Sequence, residues 1–243
     1  MLRVRSIVGA LLLSSAMRCG DASVLHWITR LGQTDCDNRP VAIAHQSGLL
    51  DRPELGDIDS VLHYEAERPF AAGSSLTLVV CNGDVHILPN SDLDRLKIVA
   101  QLSSSLGSEL TPKRFLQRFS FGSKNADIEW KLPERSHPLI DVYVPENTNL
   151  DLQLGKTTLQ VKDIRGDKVV NAGKGKVRLV VANGDVEYRS IVVDVAMGSF
   201  ADLRPGGVRR SNLARPLHTE FKGQGSSTAH LQMAMGRVEI ANE

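Results

Sequence analysis

The residues that usually carry catalysis or metal binding are scattered along this chain. The seven histidines, whose spacing fits no metal-binding motif, are His26, His45, His63, His86, His137, His218 and His230. The sequence also lacks the G-x-S-x-G, P-loop and H-E-x-x-H motifs. Ser47 follows His45 closely, but a catalytic triad is defined by geometry, and a surface loop accounts for the pair. The sequence therefore predicts no catalytic residue, no cofactor and no metal site.

Two pairs of aspartates, Asp57 with Asp59 and Asp92 with Asp94, have the carboxylate oxygens that calcium prefers. Neither pair lies in an EF-hand or a glycine-rich calcium repeat. Both pairs are therefore interpreted as solvated turns.

The tripeptide Arg165-Gly166-Asp167 matches the sequence that integrins bind. The same frame places Asn-Gly-Asp at residues 82–84 and 183–185, so Gly-Asp belongs to a recurring turn. Cell adhesion through this tripeptide is therefore not predicted.

One dense basic cluster stands out, with Arg204, Arg209, Arg210 and Arg215 in a single segment. The segment is interpreted either as a soluble surface insert or as a binding site for an anionic glycan or a partner. Other outward charges near the predicted turns form a mixed and dispersed set, which consists of Lys156, Lys174, Lys176, Arg178 and Glu187.

The composition limits the class of protein. The chain has 243 residues, with 29 Lys and Arg against 28 Asp and Glu, so its formal net charge is +1. This balance argues against an electrostatically driven nucleic-acid binder and against a polybasic membrane-surface protein. Hydrophobic residues make up 42% and charged residues 23%, as in an ordinary globular chain. Aromatic residues make up only 5%, which predicts a core of Val, Leu and Ile.

The N-terminus has the pattern of a secretory signal peptide. Arg3 and Arg5 precede an apolar run over residues 7–17, which is too short to span a bilayer because a spanning helix needs about 20 residues. Cleavage could follow Ala16 or Ala22, and a buried N-terminal strand is the alternative interpretation. We expect residues 1–22 to be a signal peptide and the mature protein to be periplasmic or secreted, with no further transmembrane segment.

The cysteine count depends on the cleavage site. Cleavage after Ala22 leaves Cys36 and Cys81, whereas cleavage after Ala16 leaves Cys19 as a third thiol. A disulfide persists in an oxidising compartment. We predict a disulfide between Cys36 and Cys81, and two unpaired, packed cysteines are the alternative.

A repeated pattern occupies the chain beyond residue 70. Apolar residues recur at every second position, followed by spacers, a glycine and renewed alternation, and the clearest copies are residues 78–85 and 179–186. Alternation indicates strands, and glycine supplies the positive φ of a tight turn. The predicted structural turn glycines are Gly83, Gly155, Gly166, Gly184, Gly198 and Gly236.

Repetition at about 20 residues is typical of stacked architectures. We predict an all-β fold in which residues 71–242 form a single-stranded, right-handed, β-helix-like solenoid of strand-turn-strand repeats. A meander of hairpins is the alternative. Residues 23–70 carry no repeat and are predicted to be an irregular N-terminal arm or cap. At most one short helix is expected, and its best signal lies over residues 111–118.

The order of these segments resembles a bacterial envelope family labelled "putative adhesin", a β-strand-repeat or "toast-rack" domain. The resemblance covers about residues 67–241 and is carried by residues 67–70 at the entry, 140–152 in the middle, 161–167 in the repeats and 236–240 at the end. The turn at Gly155 lacks the usual Asn-Gly-Asp, and residues 203–222 form a longer insert. The family has no agreed activity, so the resemblance implies a fold rather than a function.

Two functions from different classes fit these observations. The first is an exported, non-enzymatic bacterial envelope protein that uses a β-solenoid surface for adhesion or for interaction with an envelope protein or a glycan. The second is a carbohydrate-active enzyme on a β-helix scaffold, which would need carboxylates clustered on one face. The dispersed outward charges favour the first. We therefore predict a protein that is not an enzyme and that binds an envelope protein or glycan, and no nucleic acid.

Overall fold

The structure is a computed structural model that describes residues 61–92, 94–103, 116–122, 124–130, 137–182, 184–212 and 215–242. The predicted signal peptide, most of the predicted N-terminal arm, and Cys19 and Cys36 lie outside these described residues. No helix in the described part of the chain is long and apolar enough to cross a membrane.

The described residues form twelve strands and one short helix. The strands before the long repeats are β1 (Val61–Pro69), β2 (Ser75–Pro89), β3 (Arg95–Ser103), β4 (Leu116–Phe121), β5 (Asn125–Trp130) and β6 (His137–Val144). The elements that follow are β7 (Asn149–Lys162), β8 (Lys168–Val181), α1 (Gly184–Glu187), β9 (Tyr188–Asp202), β10 (Arg209–Asn212), β11 (Leu217–Lys222) and β12 (Ser227–Asn242).

The twelve strands belong to one mixed sheet. Its centre consists of five long strands that lie parallel in the spatial order β2, β7, β8, β12, β9. β5 and β6 pair with the first and second halves of β2, and β11 and β10 pair with the first and second halves of β9. β3 and then β1 continue the sheet antiparallel from β6, and β4 pairs antiparallel with β5. Each outermost long strand is therefore flanked by two short strands.

Each long strand changes the face that it buries near its middle. In β7, Leu150, Leu152 and Leu154 are buried, and after a shift of phase Leu159 and Val161 are buried. Strict alternation along the whole strand would have exposed the second group. Both groups belong to the same hydrophobic core. The strand therefore turns a corner between them.

Glycines make this corner possible. Gly83, Gly175, Gly236 and Gly198 have φ values of 115°, 134°, 143° and 139°, and they lie in one row across the sheet with Thr157 of β7. Residues with a Cβ are strained at such φ values. A Cβ on Gly236 would also collide with the carbonyl oxygen of Gly175. Four of the five long strands thus depend on glycine at the corner.

The core has the aliphatic character that the composition predicts. Most of its buried side chains are Leu, Val and Ile from both halves of the long strands. Trp130 and Tyr188 are the largest fully buried side chains among the described residues. The ring of Trp130 packs edge-on against Tyr64 of β1, with ring centroids 5.7 Å apart. β1 therefore contributes to the core as well as to the sheet.

The all-β prediction is confirmed, and the described part of the chain holds a single short helix, α1. The sequence prediction is wrong in two local details. Val61–Pro69 was expected to be irregular, yet it forms β1, because Tyr64 and Ala66 alternate with charged residues and pair with β3. Residues 116–118 were expected to end a helix, yet they belong to β4, because pairing with β5 overrides a weak local helix preference.

The insert of residues 203–222 is also more ordered than its sequence suggests. It contains β10 and β11, both of which pair antiparallel with β9. The insert therefore covers the outer edge of the last long strand.

Candidate functional site

The register of the long strands brings distant charges together. Parallel, in-register pairing places equivalent residues of neighbouring strands about 4.8 Å apart, so outward side chains form rows that run across the strands. On β8, alternation places Lys174, just before the corner residue Gly175, and Lys176 and Arg178, after it, on the outer surface, where Lys174 is exposed and the other two are half-buried. Lys156 of β7 lies directly beside Lys174, and Arg237 of β12 lies directly beside Lys176.

We call these five residues, Lys156, Lys174, Lys176, Arg178 and Arg237, the basic face. In the sequence the first four are dispersed, because 18 or more residues separate neighbouring cations that lie on different strands. The structure places all five on three adjacent strands. An accurate strand register would have been needed to find this site from the sequence, since no local run of basic residues marks it.

One carboxylate lies inside the basic face. Glu239 of β12 is only 4% exposed, although it is on the outer side of the sheet. Its carboxylate oxygens lie 2.9 Å from the Nζ of Lys176 and 2.8 Å from the Nε of Arg237. Glu239 therefore bridges two cations that would otherwise repel each other.

The second cation pair of the basic face has no such bridge. Lys156 and Lys174 are both exposed, and neither forms an ion pair with a carboxylate among the described residues. The exposed Met235 and Met197 continue this row beyond Lys174. From β7 to β9 the row therefore changes from cationic to apolar, and on β2 it ends at Asn82, which pairs with Lys156.

The arginine-rich segment identified from the sequence is arranged differently. The guanidinium of Arg204 donates to both carboxylate oxygens of Asp202, at 2.9 and 2.8 Å, and lies over the ring of Phe221. Burial acts to raise the pKa of Asp202, but the hydrogen bonds from Arg204 outweigh it and lower that pKa below its usual value. The charge of Arg204 is thus already paired with a carboxylate inside the protein.

The remaining arginines of that segment are at the surface. Arg209, Arg210 and Arg215 are exposed, and the Nη1 of Arg210 lies 3.5 Å from the Oγ1 of Thr219. A groove of about 530 Å³ lies beside Arg204, between the exposed Val186 and the half-buried Phe221. Asp202 is the only carboxylate that lines it within the described residues, and Arg204 holds that carboxylate.

Three further polar residues meet on the outer surface of the other half of the strands. Asp194 of β9 lies between His218 Nδ1, at 2.7 Å, and His230 Nε2, at 2.8 Å. Burial acts to raise the pKa of Asp194, but the two histidines lower it overall. No local sequence pattern marks this cluster, because its members lie on three different strands. Within the described ranges, no group of three or more His, Cys, Asp or Glu residues is arranged to hold a metal ion.

Lys168 is a buried lysine in an otherwise apolar row. It pairs with Leu150 and Ala229, and its side chain is 1% exposed. Its Nζ donates to the carbonyl oxygen of Gly166 at 2.6 Å and lies over the ring of Tyr188. Burial lowers the pKa of Lys168 to about 7, although nearby carboxylates oppose the shift. Its place in phase with buried Val170 could have revealed it from the sequence.

The predicted turn glycines occupy different places. Gly83, Gly198 and Gly236 lie in the corner row. Gly155 lies just before the corner of β7, where a Cβ would collide with the backbone of Cys81. Gly166 precedes β8 beside the backbone of Thr148, and Gly184 begins α1.

Other predicted residues can be placed more briefly. Cys81 forms a disulfide, and its predicted partner Cys36 lies outside the described residues, so the pairing stays a prediction. Asp92 is exposed in a turn, where its backbone N–H donates to Asn90 Oδ1. The Asp57–Asp59 pair lies outside the described residues.

Comparison with known proteins gives distant structural similarity. No family model matches the chain, and no curated protein matches it. The chain is similar to a solved "putative cell adhesion protein" from Clostridium sporogenes, with 13% identity and a TM-score of 0.47, over 74% of this chain and 100% of that one. It is also similar to a "putative adhesin" from Parabacteroides distasonis, with 11% identity and a TM-score of 0.24, over 73% of this chain and 69% of that one. Both structural neighbours are bacterial proteins.

Proposed function

We propose that this chain is an exported, non-enzymatic protein of the bacterial cell envelope with an adhesion-like role, and that it binds an envelope protein or glycan through the basic face. The observation that carries this proposal is the gathering of Lys156, Lys174, Lys176, Arg178 and Arg237 on three adjacent strands. Because the chain as a whole is nearly neutral, the basic face attracts an anionic partner at one place, and the rest of the surface does not attract anions in general.

Two features support export. The N-terminal sequence has the basic and apolar segments of a signal peptide. Cys81 is disulfide-bonded, and disulfides persist mainly in oxidising compartments such as the periplasm and the cell exterior. The proposed location is therefore periplasmic or secreted.

We further propose that the five long strands form a short solenoid. Leu150 pairs with Lys168 and Leu159 pairs with Val177, an offset of 18 residues in both cases. Only residues 163–167 separate the end of β7 from the start of β8. A bent strand and a short turn would together make one coil of that length. β12 lies between β8 and β9, so the chain does not pass through the stack in simple order.

The alternative function, a carbohydrate-active enzyme, draws no support from the described residues. A glycosidase needs two carboxylates that face a common cleft. Asp202 beside the groove is held by Arg204, and Glu239 is held by Lys176 and Arg237. These carboxylates are engaged in ion pairs within the protein.

Binding to isolated cell-envelope material tests the proposal. The first variant replaces Lys156, Lys174, Lys176 and Arg178 by Gln, and we expect it to lose most of the binding shown by the unmodified chain. A matched control replaces four exposed cations elsewhere, Lys124, Arg209, Arg215 and Lys222, and should keep that binding. Equal binding by the two variants would contradict the proposed site. Recovery of the unprocessed chain in the cytoplasm of a bacterial host would contradict export.

A further inference from the structure

The basic face contains two pairs of like charges that face each other directly across neighbouring strands. Lys176 of β8 pairs with Arg237 of β12, and Lys156 of β7 pairs with Lys174 of β8. Neighbouring strands lie about 4.8 Å apart, and like charges at this separation are destabilising. An anion placed between the two cations would therefore stabilise each pair.

The protein supplies that anion for one pair only. The Glu239 carboxylate contacts Lys176 Nζ at 2.9 Å and Arg237 Nε at 2.8 Å. Lys156 and Lys174 lie in the row on the opposite side of the corner row from Lys176 and Arg237, and both are exposed without an ion pair among the described residues. The occupied pair shows which chemical group fits the unoccupied one, since a carboxylate satisfies two cations on adjacent strands.

The surroundings of Lys156 and Lys174 favour a sugar as the carrier of that carboxylate. On the same side of the corner as these lysines, three positions earlier on each strand, an outward row holds the amides of Gln153 and Asn171, which pair in register across β7 and β8. Side-chain amides both donate and accept hydrogen bonds, as sugar hydroxyls require. The separation of adjacent strands is also close to the length of one pyranose residue, so a linear glycan crossing the strands would advance about one residue per strand.

Resting on the proposed function of the basic face, we infer that Lys156 and Lys174 bind the carboxylate of an acidic sugar in a linear polyuronate, whose chain runs across the strands beside the corner. The lysines bridge the carboxylate as Lys176 and Arg237 bridge Glu239, and the row of amides contacts the sugar hydroxyls. Met235 and Met197 continue the lysine row and offer an apolar surface for the next sugar rings.

Titration of the full chain with polygalacturonate tests this inference. We expect saturable binding by the unmodified chain, an affinity at least about tenfold weaker for Lys156→Gln/Lys174→Gln, and no binding of neutral dextran. The matched control, Lys124→Gln/Lys222→Gln, removes two exposed lysines elsewhere and should bind within about twofold of the unmodified chain. An unchanged affinity of Lys156→Gln/Lys174→Gln would overturn the inference.

Thermal melting, with and without polygalacturonate, gives a second measurement that is independent of the titration. Without ligand, Lys156→Gln/Lys174→Gln should melt at the same temperature as the unmodified chain or higher, because a repulsive pair has been removed. Polygalacturonate should raise the melting temperature of the unmodified chain and of the control, but not that of this variant. An equal rise for all three proteins would overturn the assignment of the site.

Two further polyanions separate the inference from the proposed function. Tighter binding of polyphosphate or duplex DNA than of polygalacturonate would overturn the assignment to an acidic sugar. If envelope material binds through the basic face but polygalacturonate does not bind, the inference fails and the proposed function stands. If neither binds, both fail.

Discussion

The arginine-rich segment and the basic face hold similar numbers of cations and use them in opposite ways. In the segment, the four arginines are close in sequence. Arg204, however, is paired with the Asp202 carboxylate and lies over the Phe221 ring, and the other three lie in or next to the edge strand β10. In the basic face, the cations lie on different strands, far apart in sequence but adjacent in space. Lys156 and Lys174 are exposed and form no ion pair among the described residues, so their charges can attract a ligand. In a stack of parallel strands, register rather than local sequence density decides where charge accumulates.

The largest expected effect contrasts the corner under the basic face with the tip of the insert. Gly236→Val would place a branched side chain at a φ of 143° and against the carbonyl oxygen of Gly175, so we expect a loss of about 4 kcal/mol in the free energy of unfolding. Gly206→Val also has a positive φ, but a Cβ there meets nothing within 4 Å, so about 1 kcal/mol is expected. Denaturant titration measures both values. Equal losses for the two variants would contradict the conclusion that the corner requires glycine.

The next effect separates the buried arginine from the exposed ones. Arg204→Ala leaves the buried Asp202 carboxylate without its cation, and we expect a loss of about 3 kcal/mol in the free energy of unfolding. Arg215→Ala removes an exposed arginine of the same segment and should change that free energy by less than about 0.5 kcal/mol. Chemical denaturation at neutral pH tests the pair. A similar loss for the two variants would contradict the conclusion that Arg204 stabilises the fold by neutralising Asp202.

The strand that carries most of the basic face begins at a buried lysine, and this predicts a dependence on pH. Burial lowers the pKa of Lys168 to about 7 in the folded protein, whereas the unfolded chain keeps the ordinary value of 10.5. Between pH 7 and 9 the unfolded state therefore binds more protons than the folded state, so stability rises with pH. The expected gain is about 2 kcal/mol.

Lys168→Met provides the control for that gain. The variant removes the titrating group from an apolar row, so its free energy of unfolding should change much less than that of the unmodified chain between pH 7 and 9. Denaturant titrations at the two pH values measure the difference. A rise of the same size in the variant would assign the pH dependence to another group.

The smallest effect concerns the bridging carboxylate. Glu239→Gln leaves Lys176 beside Arg237 with no carboxylate between them, and we expect a loss of about 1 kcal/mol because both cations can still reach water. Glu220→Gln breaks only the exposed pair with Lys222 and should be nearly neutral. Melting of the two variants checks the difference. No loss in Glu239→Gln would mean that the bridge does not offset the repulsion of the pair.

The sequence was sufficient for the all-β class and for the apolar alternation that builds the core, because period-2 patterns are local. It was insufficient for β1 and β4, whose strands depend on pairing with β3 and β5 rather than on their own preference. The candidate site was missed for the same reason. Lys156 and Lys174 become neighbours only through an offset of 18 residues, and Arg237 joins them because β12, rather than β9, lies beside β8.

The short strands at the two ends of the stack have a consequence for assembly. An unpaired long strand at the end of such a stack would present a row of N–H and C=O groups on which a second copy could grow, and the growth would not stop by itself. β11 and β10 occupy that side of β9, and their exposed residues include the charged Arg209 and Glu220. β5 and β6 occupy the corresponding side of β2. Within the described residues, short strands thus cover the outer sides of both outermost long strands, and the charges on β10 and β11 disfavour the addition of a further strand there.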